Sequence, residues 1–133
     1  MLQIVYASRP LDFSAPSLLN LLLTARQFNT SNNITGALLY RDDIFMQMLE
    51  GDSAVIRNLM KRISKDERHT IVVPLVDRSV ASRAFSRWEM YSDPFDDDLF
   101  SRAAVRDRKY LEMPTAEILA LFTRLSHKPL QSV

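Results

Sequence analysis

The sequence predicts an α+β domain: a ferredoxin-like β-α-β-β-α-β core with an additional strand and two C-terminal helices. Three observations carry that expectation. Short apolar runs over 2–8, 34–40, 44–50 and 70–77 have strand length, and segments of helical spacing over 14–28 and 53–65 separate them in the required order. The central stretch, ITGALLYRDDIFMQMLEG over 34–51, reads as a hairpin that reverses at Arg41-Asp42-Asp43. The chain has 133 residues, enough for one domain with a hydrophobic core and too few for two.

In order, LQIVYAS (2–8) gives the first strand, and Arg9-Pro10 is expected to end it because proline lacks a donor and restricts its predecessor. Ser14 is suited to cap the first helix, with Pro16 in its opening turn. Leu18, Leu19, Leu22, Ala25 and Phe28 repeat at helical spacing, Leu21 and Leu23 broaden that face, and the polar run 29–33 stops it. After the hairpin, Asp52 or Ser53 caps a second helix whose apolar side is Val55, Ile56, Leu59, Met60 and Ile63. Arg62 and Asp66 share its last face. A strand over 70–77, a loop around 78–82 and a last strand over 84–91 complete the sheet. Helices are expected over 97–109 and 115–126, and this tail either returns over the open sheet face or builds a subunit interface. Residues 127–133 read as a frayed end.

Composition narrows the function classes. Apolar residues make up 47% and charged residues 25%, and 17 basic against 16 acidic side chains leave a net charge of +1. With no concentrated basic face and no reader motif, nucleic acid is not an expected partner. The chain has no cysteine, so disulfides, thiolate metal sites and thiol catalysis are excluded. Asp93, Asp96, Asp97 and Asp98 read as a solvated or capping cluster, and no metal site is expected. There is no basic n-region of a signal peptide and no apolar run of membrane-spanning length. These features fit a cytoplasmic protein.

Chemistry is scarce. His69 and His127 are the only histidines and belong to no triad or metal spacing. Two glycines, Gly36 and Gly51, cannot form a phosphate-cradling loop. No enzyme constellation is evident. What stands out is Gln47, a primary amide inside a very apolar strand, flanked on its own face by Phe45 and Leu49. Such an amide needs a partner. It is either a ligand contact, a core hydrogen-bond hub or an exposed edge residue. Tyr6, one of the asparagines 29–33, Gln47 and Arg62 together make a candidate pocket, and amide and phenol groups can read the edge of a flat heteroaromatic ligand.

On IVYAS (4–8), ARQFN (25–29), NITGALLY (33–40), FMQMLEG (45–51), ISKDERH (63–69) and FSRWEM (85–90), the chain resembles the BLUF family of blue-light sensors that bind a flavin. The motifs extend over nearly the whole core. The resemblance implies FAD as cofactor, with FMN possible, and no substrate turnover. It gives Tyr6 and Gln47 the photoactive roles, Tyr6 as electron and proton donor and Gln47 as the bridge to the flavin edge. It places Asn29 on the pyrimidine side of the ring and Ile34, Phe45, Arg62, Ile63 and Asp66 around it. Phe28 falls where several members carry Asn or His, which removes one polar contact. Trp88 and Met90 match the pair that transmits the signal.

By the same resemblance, light drives electron and proton transfer from Tyr6, and Gln47 rearranges by rotation, tautomerisation or both. The family's small red shift follows. Residues 1–92 are then the flavin-binding core, 93–127 a helical extension and 128–133 a flexible tail. Signalling is expected through protein–protein contacts, in a homo-oligomer and with a downstream protein partner. A flavin-free interaction module and a small flavin redox enzyme are the two other readings of the same residues.

Overall fold

The described strands form a single five-stranded sheet. The computed structural model describes residues 1–11, 14–67, 69–92 and 101–126. The elements are β1 (Leu2–Pro10), α1 (Ala15–Ser31), β2 (Thr35–Arg41), β3 (Ile44–Gly51), α2 (Ser53–Ser64), β4 (His69–Ser79), β5 (Trp88–Ser92), α3 (Arg102–Arg106), a 3-10 turn (Lys109–Glu112) and α4 (Thr115–Ser126). β3 lies between β1 and β2, antiparallel to both, β4 is antiparallel to β1, and β5 adds to the far edge parallel to β2. This is the ferredoxin-like core with one extra strand. None of the described helices is long and apolar enough to cross a membrane.

Alternation sorts the strand side chains into two cores. Ile4, Tyr6, Leu38, Phe45 and Trp88 pack on the face that carries α1 and α2, with Leu22 and Ile56 from those helices. Val5, Leu39, Met46 and Met48 point the other way, against Val105, Tyr110, Ile118, Leu121 and Phe122 of the tail. The tail therefore covers the open face of the sheet. Had it not, the Val5, Leu39, Met46 and Met48 side of the three central strands would form an apolar patch in water.

Several boundaries differ from the sequence expectation. β1 runs on to Pro10, which stands opposite His69. α1 continues to Ser31, because the backbone N–H of Asn32 and its side-chain amide both bond the Phe28 carbonyl. Asn33, in the left-handed region at φ 56°, then turns the chain into β2. Arg41 belongs to β2 and pairs with Ile44, so the hairpin turn is Asp42-Asp43 alone. At α2, Asp52 is the cap, accepting the Val55 N–H at 3.2 Å.

The last strand begins at Trp88 rather than 84, because the amides of Ala84 and Phe85 are taken by the Glu50 carboxylate and not by a neighbouring strand. The helix expected over 97–109 is shorter than predicted. Ser101 caps α3, and Arg108, at φ 56°, ends that helical run and starts the 3-10 turn. Residues 97–100, the acidic cluster 93–98, Arg68 and the end 127–133 lie outside the described residues.

Candidate functional site

Tyr6 and Gln47 are directly opposite one another in the β1–β3 ladder, with both side chains on the α1/α2 face. The Tyr6 hydroxyl donates to Gln47 Oε1 at 2.5 Å. This contact orients the amide: its carbonyl end is held by the phenol, so its NH₂ end lies away from it. No acceptor among the described residues takes those N–H groups. The cost of burying Gln47 is thus half met, and the unmet half borders a cavity.

That cavity, of about 220 Å³, lies between the sheet and the two helices. The sheet supplies Tyr6, Leu38, Phe45 and Gln47 to its wall, α1 supplies Leu21, Thr24, Ala25, Phe28 and Asn29, and Leu59, Arg62 and Ile63 come from α2. Asp66 and His69 close the end. Asn29, in the last turn of α1, is buried, and its side-chain amide has no protein partner among the described residues. Arg62 and Phe28 meet across the two helices, with the guanidinium 4.8 Å from the ring centroid.

Burial pushes the Tyr6 phenol far above its ordinary value, and the Asp66 carboxylate pushes it further. The phenol is therefore a neutral O–H donor at physiological pH. Beside it, the His69 ring stands edge-on to Tyr6, 6.4 Å between centroids and 81° between planes. His69 Nε2 lies 2.7 Å from the Ile63 carbonyl and Nδ1 lies 2.9 Å from Ser8 Oγ. A carbonyl only accepts, so Nε2 carries a proton. The ring ties the end of α2 to β1 and fixes the wall behind Tyr6.

Of the residues singled out in the sequence, Tyr6, Asn29, Phe45, Gln47, Arg62, Ile63 and Asp66 are brought together on the cavity wall. Ile34 is not on it. It is buried in the adjoining core, where its side chain sits against Gly51. Trp88 and Met90 share the α1/α2 face without lining the cavity, and the Trp88 indole N–H is buried with no partner among the described residues. His69, Leu38, Leu59, Leu21, Thr24 and Ala25 line the wall without having been singled out. The α1 members were legible in principle, since 21, 24, 25 and 28 share one helix face. His69 ends the ISKDERH motif, but its local spacing does not mark it as a wall residue.

The donor set suits a flat heteroaromatic group. Apolar side chains from the sheet and both helices line the cavity, and the Gln47 NH₂ and the Asn29 amide can offer hydrogen bonds to a rim of carbonyls and ring nitrogens. A flavin ring meets that description. Comparison with known proteins agrees. The family described as BLUF, sensors of blue-light using FAD, matches residues 1–91. The photoactivated adenylate cyclase subunit beta of Euglena longa is 38% identical over 90 residues, covering 65% of this chain and 10% of that protein. The solved structure of BlsA in its photo-activated state superposes with a TM-score of 0.83 at 25% identity, covering 99% of both chains. Klebsiella pneumoniae BlrP1, solved with FMN and cyclic diGMP, superposes at 0.65 with 27% identity, covering 93% of this chain and 35% of that one.

The chain belongs to the BLUF family: it is a flavin-binding blue-light photoreceptor domain, and the module that the family defines is a sensor rather than a catalytic unit. It spans about a tenth of the length of the curated relatives it matches.

Proposed function

We propose that Tyr6 and Gln47 are the photoactive pair of this sensor and that Trp88 and Met90 pass the light state to the tail helices. The observation that carries the proposal is the Tyr6–Gln47 hydrogen bond, with the other end of the amide free beside the cavity. Asn29, Phe45, Arg62, Ile63 and Asp66 hold the flavin, with Ile34 packed behind them. Bound there, the flavin supplies the absorption of blue light and an excited state that accepts an electron. Tyr6 is placed to give up its electron, and its proton lies on a hydrogen bond that already points at Gln47. The Gln47 amide has one accepting and one donating end, so rotation or tautomerisation exchanges what it presents to Tyr6 and to the cavity. In a buried network such an exchange alters the balance of nearby hydrogen bonds, which gives it leverage on the strands.

FAD is the expected occupant, and FMN fits the same ring contacts. Residues 1–92 form the flavin-binding core, with a helical extension behind it. The sensor acts in the cytoplasm as a homo-oligomer, signalling to a downstream protein through contacts that change with light. The decisive experiment is a dark-minus-light absorption spectrum of the purified protein, with the released flavin identified. A reversible red shift is expected. A colourless protein that takes up no added FAD overturns the reading.

A further inference from the structure

The second polar residue buried in the central strand is Glu50, three positions beyond Gln47 on β3 and fully enclosed. Its carboxylate accepts from the backbone N–H of Ala84 at 2.8 Å and of Phe85 at 3.0 Å. It also accepts from Gln3 Nε2 at 3.0 Å and Thr35 Oγ1 at 3.2 Å. Arg83 donates to Thr35 Oγ1 and to the Glu50 carbonyl. The β4–β5 connection is thereby fastened across the ends of β1, β3 and β2 by one side chain. The Gly36 N–H bonds the Arg87 carbonyl and finishes the attachment just before β5.

What this fastening holds is unusual. Phe85 is buried in the core beneath the sheet, with Phe122, Leu121 and Val105 of the tail. Trp88, three residues on, is buried in the core above it, on the flavin side. Between them the chain crosses from one face of the sheet to the other, and a sheet otherwise separates those faces. A displacement of Trp88 therefore acts on Phe85 through a short segment whose pivot is the Glu50 carboxylate.

We infer that Glu50 is a positioning residue for signal output: by clamping the amides of Ala84 and Phe85 it makes Trp88 and Phe85 a single lever between the flavin face and the tail helices. This inference rests on the photoreceptor reading above but concerns a group outside the flavin site. A clamp serving stability alone would hold the loop without making the tail responsive to light.

The test is hydrogen–deuterium exchange of the full chain in the dark and under blue light, recorded together with the flavin spectrum. In the wild type, light is expected to change exchange in both the 84–88 segment and α4. Glu50→Gln keeps an accepting oxygen but sets an amide N–H against donors. It should leave the spectral shift in place while reducing the light-dependent difference in α4 at least about threefold. Phe85→Leu, which leaves Glu50 intact, should give the same split and serves if Glu50→Gln does not fold. Overturning results are a wild-type α4 that ignores light, a full α4 response in either folded variant, or loss of the spectral shift in folded Glu50→Gln. A wild type without any spectral shift would instead sink the photoreceptor reading itself.

Discussion

Tyr6 and Gln47 are cross-strand partners whose side chains meet at 2.5 Å, so the β1–β3 register sets the geometry of the bond between them. Slipping β3 by one residue against β1 would turn Gln47 to the tail face while Tyr6 stayed on the other. The bond is therefore as secure as the centre of the sheet. Gln47→Leu should retain bound flavin, since the cavity walls persist, and should lose the normal light-induced red shift. Tyr6→Phe should suppress the same photocycle. Flavin absorption before and after illumination checks both, and a normal shift in Gln47→Leu would rule out the amide as the moving part.

Tyr6 also carries a pH prediction. Its phenol lies above its unfolded value of 10.0, because of burial and then Asp66. Below about pH 10 both states are protonated and the residue contributes no slope. As pH rises past the unfolded value, the unfolded chain releases a proton that the folded chain keeps, so stability falls. The loss is at most about 1.4 kcal/mol per pH unit for one proton. Urea midpoints between about pH 8 and pH 11 should fall more steeply for the wild type than for Tyr6→Phe.

Asn29 offers a buried amide to the cavity from the last turn of α1. Asn29→Ala removes one hydrogen bond to the ligand and leaves the backbone bonds that end the helix. Flavin affinity should drop roughly tenfold, matching a hydrogen bond of about 1 to 1.5 kcal/mol. Titration of the apoprotein with FAD measures it.

Gly36 admits no side chain. Its φ is +141°, and a Cβ there would stand 2.0 Å from the Met48 carbonyl oxygen. Gly36→Ala should destabilise the fold by at least about 2 kcal/mol through backbone strain and the displaced β3 neighbour. Because the Gly36 N–H also donates to the Arg87 carbonyl and Gly36 faces Trp88 across the β2–β5 ladder, the exchange should loosen β5 first. Denaturant unfolding followed by Trp88 fluorescence reports on both.

Much of this was legible in the chain because strands and helices leave different periods. The order of elements, the hairpin and the apolar faces of α1, α2 and α4 follow from spacing alone. The candidate site was legible through motif resemblance and through Gln47, whose polarity contradicts its strand. Glu50 was not, although it is as buried as any apolar neighbour. Its partners are backbone amides 34 and 35 positions away, and backbone donors are identical at every residue. His69 was hidden for a related reason, since it bonds the Ile63 carbonyl and Ser8, which only the fold brings near. Ile34 lies beside the cavity wall, and an apolar residue beside a pocket and one lining it have the same sequence signature. The last strand is shortened because Glu50 takes the Ala84 amide, and the helical run of α3 stops at the left-handed Arg108.

β5 occupies the rim of the sheet and, among the described residues, is laddered to β2 alone. The Tyr6–Gln47 pair sits three and two strands inward, where each strand is bonded on both sides. Peeling off five residues at a rim breaks one ladder, whereas disturbing β1 or β3 breaks two. The fold thus keeps the Tyr6–Gln47 pair in its stiffest part and β5 in its most detachable one. In the proposed mechanism, the outermost strand can change many times over while the cradle stays closed.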